Sequence, residues 1–411
     1  MDVTRERLFT PRFFLMCAFS FAVFFSAFQL FPTAPFRVRE LGGSTFAAGL
    51  FLACLTFASA VSAPFTGAMA DRFGLRRTLR VGGVALTVFA AGYAVLPDYR
   101  LMLSLTVVHG LFWSSVLTAS AAYMTGILPP GRRAEGIAYW GLASVLALAA
   151  GPTVGFWLYQ FGWGVLCAAM GLLNLGVAVI AWRLPKERPH ANPGEPARKG
   201  AVVEWRVLVL SGTLLLYSYA YGAITSFAAM YAEASGSTPK GIYLTVVGVA
   251  IIATRPFLGR FADRIGYVRL LVPCLALISA GLLVLVAGGG SRPSQVMSAV
   301  IFGTGYGTAY PVYAAYLLDR VSPTRRGAAF GALIAAFDTG IGLGSLVTGW
   351  IIGVAGYKAG FGAAAALSAL AVPYFFAVRR VLPKGDSPLR DACGARYAGR
   401  RMVGGSAHSA R

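Results

Sequence analysis

The sequence predicts an all-α integral membrane protein, and three observations carry that prediction. Hydrophobic residues make up 57% of the 411 residues and charged residues only 12%, against roughly 25% charged in a soluble domain. The apolar residues gather in runs of about 20, the length that crosses a bilayer as a helix. Basic residues lie on alternate connections between those runs, the asymmetry expected of cytoplasmic loops. Backbone polar groups cannot stay unpaired in lipid, so each run must be helical. The alternation of a membrane β-strand is absent. So little charge excludes a cytosolic globular enzyme, a nucleic-acid-binding protein and a disordered chain.

Twelve runs can be read in order, near 12–33, 45–69, 77–97, 100–127, 135–158, 163–183, 205–232, 240–258, 268–289, 294–318, 327–353 and 358–380. The first is full length and lacks a small-residue cleavage site, so it is a retained helix and not a signal peptide. The fourth carries His109, Trp113 and Ser114. The fifth contains Ala150 to Gly155. The seventh places Tyr217 and Tyr221 one turn apart. Arg255 interrupts the eighth and Pro273 the ninth. The tenth repeats Tyr306, Tyr310 and Tyr313 at i, i+4 and i+7, and the eleventh embeds Asp338.

An even number of spans puts both termini on one side. With that side cytoplasmic, 29 of the 36 Lys and Arg residues fall on it, six fall opposite, and Arg255 lies inside a span. The bias fixes the topology and accounts for the net charge of +21 without nucleic acid. Residues 184–204 are polar and rich in Pro and charge, a cytoplasmic linker between a six-helix bundle at 1–183 and another at 205–381. Residues 382–411 form a basic tail expected to be disordered.

The halves repeat one another. GAMADRFGLRR at 67–77 matches GRFADRIGYVR at 259–269, with Asp71 and Asp263 192 residues apart. RRAEG from Arg132 and RRGAAFG from Arg325 are 193 apart, as are Gly151 and Gly344. Two landmarks at nearly one offset argue for duplication, and parallel halves with a site between them are a transporter plan.

On these residues the chain resembles the major facilitator superfamily over about 10–382. The loop signature G-x-x-x-D-R-x-G-x-R-R is met by Gly67, Asp71, Arg72, Gly74, Arg76 and Arg77, and recurs as Gly259, Asp263, Arg264, Gly266 and Arg269. The resemblance implies that this loop latches the cytoplasmic gate. Gly67 would let helices approach, Asp71 would meet a helix end or an Arg, and the Arg residues would pair with carboxylates such as Glu135. Gly151, Pro152 and Gly155 match most of the family's antiporter signature, with Ala147 in place of its first glycine. The fourth span departs from the family: Thr106 stands where drug exporters carry an Arg, and His109 where they carry a Gln.

Asp338 lies about 16 Å into its span at 1.5 Å per residue, near the midplane, where an ionisable group is a functional candidate by default. Asp338 and His109 are the candidates for proton coupling. Arg255 either reaches the interface or contacts substrate. In the family, spans one, four, seven and ten line the cavity, which implies Gln29, Trp113, Tyr217, Tyr221, Tyr306 and Tyr310 as lining. Tyr rings suit amphipathic or aromatic ligands.

An enzyme would need a nucleophile or metal constellation. The histidines are His109, His190 and His408, two of them in the linker and tail, and Cys17, Cys54, Cys167, Cys274 and Cys393 are scattered. No catalytic residue, metal or cofactor is therefore expected. The reading is a secondary transporter of the cell membrane, bacterial by resemblance. It is expected to act as a monomer and to export small amphipathic molecules against protons. Import by symport, or facilitated passage, is the alternative.

Overall fold

The computed structural model describes residues 8–129, 132–185, 205–318, 320–321 and 326–379. Most of the linker and all of the tail lie outside them. Every regular element among them is helical: α1 Pro11–Glu40, α2 Thr45–Phe73, α3 Leu75–Val95, α4 Tyr99–Ile127, α5 Arg133–Tyr159, α6 Trp163–Arg183, α7 Trp205–Ala234, α8 Ile242–Ile265, α9 Tyr267–Ala287, α10 Arg292–Leu318, α11 Arg326–Ala369 and α12 Ala371–Val378. The starts follow local chemistry. The Thr10 hydroxyl accepts from the Phe13 N–H at 3.2 Å, with Pro11 in the first turn. Ser44 accepts from Ala47 at 3.1 Å and Asp98 from Arg100 at 2.6 Å. Each supplies an acceptor to an N–H that the helix itself leaves unpaired.

α11 is two helices that meet at a kink: the non-helical Gly356 (φ 82°, ψ 172°) falls between the eleventh run and the twelfth. α12 continues the second of them. Eight helices are long and apolar enough to cross a membrane among the described residues. α7 and α10 are diluted by Tyr, Ser, Thr and Gly, and α8 qualifies only as a shorter apolar stretch, Ile242–Arg255. The diluting residues face protein: Tyr217, Ser218, Thr225 and Ser226 are each at most 1% exposed.

The repeat read in the sequence is visible in the backbone. Gly74 and Gly266 turn the chain from α2 into α3 and from α8 into α9, with φ +90° and +84°, a region open to Gly and costly for other residues. α5 packs on α1, and α11 packs on α7. At matching points, a β-carbon on Gly151 would come within 2.8 Å of Phe28 Cβ, and one on Gly344 would enter the Tyr219 backbone.

The first six helices meet the last six along α2–α11, α5–α8 and α1–α7. These contacts gather toward the end formed by Glu40, Thr45, Tyr159 and Lys240. There Thr45 borders Gly349, Gly241 borders Pro152, and Thr153 and Thr245 hydroxyls lie 2.7 Å apart. The Lys240 ammonium pairs with Glu233 and stands 5.0 Å from the centre of the Phe36 ring. Among the described residues, α4 and α10 touch no helix of the opposite six.

Candidate functional site

The seam between α2 and α11 is built from small residues, so the two backbones come close. The Ser345 hydroxyl donates to the Gly49 carbonyl at 2.7 Å. Further along the seam, the Ser59 hydroxyl donates to Asp338 Oδ2, also at 2.7 Å. Ser59 stands about 20 Å along α2 from the closed end. Asp338 keeps part of its surface open.

An aromatic group adjoins the carboxylate. Phe337 meets Tyr310 edge-on at 5.2 Å, and both rings are half-buried. Tyr306 stacks on Tyr221 at 4.6 Å with planes 9° apart, on Phe302 at 5.5 Å, and edge-on against Tyr217 at 6.1 Å. The hydroxyls of Tyr217 and Tyr306 are buried and make no hydrogen bond among the described residues. Four tyrosines predicted to line a cavity are thus brought together beside Asp338. The arrangement sets the Asp338 carboxylate beside the partly open faces of Tyr310 and Phe337, with Tyr217, Tyr221 and Tyr306 buried behind them.

The other predicted lining residues lie elsewhere. Trp113 belongs to the first six helices, edge-on to Phe24 at 5.5 Å and Phe31 at 5.9 Å. Gln29 is 1% exposed, and among the described residues neither of its amide atoms has a partner. It is pressed against α5, where a β-carbon on Gly155 would come within 2.9 Å of its Cα. Arg255 is half-buried beside Gly141 of α5, and its Nε has no partner among the described residues. Tyr313, one turn beyond Tyr310, points away and donates to the Leu210 carbonyl.

His109 is enclosed within the first six helices at 6% exposure. Its Nδ1 is 3.1 Å from the Tyr93 hydroxyl, which is 3.1 Å from Thr106 Oγ1. The ring stacks on Phe89 at 5.0 Å. His109 also lines a cavity of about 10 Å³ with Tyr93, Trp113 and Asn174, room for about one water. α4 does not touch α11, so His109 and Asp338 belong to separate surroundings.

In the loop signature, the side chains of Asp71, Gly259, Asp263 and Arg264 lie outside the described residues. Gly74 and Gly266 make the turns described above. Among the described residues, Gly67 is not a point of close approach in this state: a β-carbon there would meet only Thr118, at an ordinary 3.9 Å. The helix contact is made next door, where Thr66 Oγ1 lies 3.2 Å from Ser114 Oγ. Glu135 is held by Arg132, at 2.8 Å to each of its oxygens. Arg76 instead donates to the Trp182 carbonyl at 3.0 Å, joined by Arg80 at 3.1 Å. Cations suit this end of α6, where carbonyls lack partners. Arg72 and Arg77 are exposed.

The antiporter-type residues act in packing. Gly151 and Gly155 let α5 meet α1, while Pro152 borders Gly241 ahead of α8. α5 is therefore clamped between one helix of each set.

Sequence reasoning missed Ser59, Phe337 and Tyr93. Ser59 and Phe337 sit in apolar runs, and Ser59 meets a partner 279 residues away, so no local spacing marks it. Tyr93 could have been flagged as a polar tip needing a partner near the end of a span.

The sequence profile described as Major Facilitator Superfamily matches residues 14–240 and 210–405. The MFS-type transporter YhhS of Escherichia coli (strain K12) is 27% identical over 366 residues, covering 86% of this chain and 89% of its own. A solved bacterial homologue of the human lysosomal transporter Spinster, inward-facing and unoccupied, has a TM-score of 0.75 at 13% identity, covering 90% of this chain and 97% of that one. A D-xylose–proton symporter gives 0.72 at 14%, covering 91% and 98%. At these identities the structural likeness is one of fold.

Proposed function

The chain belongs to the Major Facilitator Superfamily, and from that premise we propose that it exports a small amphipathic organic molecule in exchange for protons bound at Asp338. Its relatives are transporters, not enzymes, and it is a multi-pass protein of the bacterial inner membrane. On this reading twelve spans form two six-helix bundles, 1–183 and 205–381, with both termini cytoplasmic. The bundles rock about the space between α4 and α10. The contacts at Glu40, Thr45, Tyr159 and Lys240 then close the outer side, so the described state faces inward. The turns at Gly74 and Gly266, with Arg72, Arg76 and Arg77, edge the inner gate in its open form.

One observation carries the proposal. Asp338 is a half-buried carboxylate at mid-helix, on a seam between the two sets of helices and beside a cluster of tyrosines. A charge there is costly and persists where it is used. Tyr217, Tyr221, Tyr306 and Tyr310 receive the solute on its apolar side. His109 is assigned to packing, because its Nδ1 is occupied by Tyr93 and it is walled off from the seam. The closing of α5 on α1 and α8 through Gly151, Pro152 and Gly155 supports exchange over leak, since it tightens the outer side.

The test is proton flux in liposomes holding the purified protein, challenged with a panel of amphipathic compounds, beside Asp338→Asn. Compound-driven proton movement opposite to the solute, lost in the variant, is expected. Movement in the same direction makes the protein an importer. Solute flux that ignores the pH gradient makes it a facilitator and removes Asp338 from the mechanism.

A further inference from the structure

The bond between Ser59 and Asp338 crosses from one set of six helices to the other, at the inner limit of the hydrogen bonds that close the outer side. We propose that Ser59 reads the occupancy of Asp338: the Ser59–carboxylate bond locks α2 to α11, and a proton or a solute donor that takes the carboxylate releases the lock. This rests on the reading of Asp338 as the coupling group.

The argument is one of hydrogen-bond capacity. An ionised carboxylate only accepts, and the Ser59 hydroxyl is a donor at 2.7 Å from Oδ2. A hydrogen bond to an ionised acceptor is roughly twice as strong as a neutral one. Once the carboxylate is protonated, the charge is gone and the bond weakens. A solute ammonium or hydroxyl that takes the oxygen competes for the same acceptor. Either event frees α2 from α11 at the point farthest from the outer rim. The remaining contacts of the seam, Ser345 on Gly49 and the packing of small residues, do not change with charge.

No other charged group intervenes. The ionisable side chains on helices packed against this stretch of α11 are Tyr217, Tyr219 and Tyr221 of α7, Tyr306 and Tyr310 of α10, Cys54 of α2 and Cys274 of α9. Tyr219 is spoken for by Thr348, at 3.2 Å. Among the described residues, no Lys, Arg or His stands within ion-pair distance of Asp338. The hydroxyl of Ser59 is therefore the partner through which the charge of Asp338 acts on the opposite bundle.

The device yields the rule that exchange requires. The empty, ionised carrier stays locked facing inward. The carrier loaded with proton or with solute is free to turn. Removing Ser59 should let the empty carrier turn, so that solute leaks without proton return.

The experiment uses the full chain in liposomes. Wild type, Ser59→Ala, Ser59→Thr and Asp338→Asn are compared for proton-to-solute ratio and for the pH profile of flux, using a compound that wild type carries. Ser59→Ala should retain solute flux while the ratio falls toward zero and the pH dependence flattens. Ser59→Thr, which keeps the hydroxyl, should restore both. A wild-type ratio in Ser59→Ala overturns the proposal, as does loss of flux that Thr does not rescue. A second measurement is independent of that variant's fate. With Cys17, Cys54, Cys167, Cys274 and Cys393 replaced, spin labels at Phe46→Cys and Val354→Cys report the outer ends of α2 and α11, both exposed sites. A longer distance should gain population in acid for wild type and be present at all pH in Asp338→Asn. An unchanged distance distribution overturns the lock. If Asp338→Asn keeps pH-driven exchange, the functional reading fails instead, and the Ser59 result identifies which of the two has fallen.

Discussion

The seams α2–α11 and α5–α8 occupy matching places in the repeat, yet among the described residues only one carries a carboxylate at mid-helix. Both are built for close contact. A β-carbon on Gly342 would come within 2.6 Å of the Thr56 hydroxyl, and one on Gly248 would come within 2.5 Å of the Ala149 backbone. Both hold a hydroxyl contact near the outer rim, Ser345 to Gly49 on one side and Thr153 to Thr245 on the other. Shifted by 193 residues, Asp338 becomes Val145, and shifted by 192, Ser59 becomes Ile251. These two are apolar and buried, at 6% and 4% exposure. Duplication supplies two hinged faces of the same design. A carboxylate at mid-helix is costly, and it stands on the seam that gives it a partner, Ser59.

The largest effect should come from removing that difference. Asp338→Asn leaves an oxygen to accept from Ser59 and keeps the shape, so the fold should survive. Proton-coupled flux should fall by about a hundredfold, the range of a coupling energy of about 3 kcal/mol. Flux assays in liposomes decide it. Coupled flux that persists would make the two seams equivalent after all.

That contrast was only half legible in the sequence. The helices and Asp338 itself are readable, because apolar length and embedded charge are local signals. The tyrosines of α7 and α10 were readable as faces at helical spacing, and Tyr217, Tyr221, Tyr306 and Tyr310 do meet. Tyr313 shares that spacing but turns to the Leu210 carbonyl, since one face of a helix is wider than one site. Ser59 was invisible: a serine in an apolar run is ordinary until its partner on a distant helix is known.

The next largest effect is the converse. Val145→Asp places a carboxylate at the matching point of the α5–α8 seam, opposite no serine. It should cost about 2.5–3.5 kcal/mol, the price of an acid at the centre of a span. Thermal unfolding in detergent should show a large drop, while the proton-to-solute ratio of whatever inserts stays that of wild type. A new coupled proton would show that position, and not partner, makes the coupling group.

The mechanical likeness of the seams can be broken separately. Gly49→Val and Gly248→Val each drive a side chain into the opposing backbone, at the Ser345 carbonyl and at Ala149. Overpacking of this kind costs about 1–3 kcal/mol. Both should open the outer side by similar amounts, read as longer distances between spin labels at the rim. Clearly unequal shifts would mean that one seam is the hinge and the other the latch.

The smallest effect is expected away from both seams, at His109. Gln at this position can still bond the Tyr93 hydroxyl but loses the stack on Phe89, worth about 0.5–1.5 kcal/mol for an aromatic pair. His109→Gln should therefore lower the unfolding midpoint slightly and leave the pH profile of transport where it was. This variant sharpens the comparison because His109 and Asp338 are both embedded ionisable groups, and only their surroundings separate them. One is closed in among α1, α3, α4 and α6, and the other opens onto a seam that must part during transport. If the profile moves in His109→Gln by as much as in Asp338→Asn, protons pass through the first bundle as well, and the asymmetry between the seams loses its meaning for coupling.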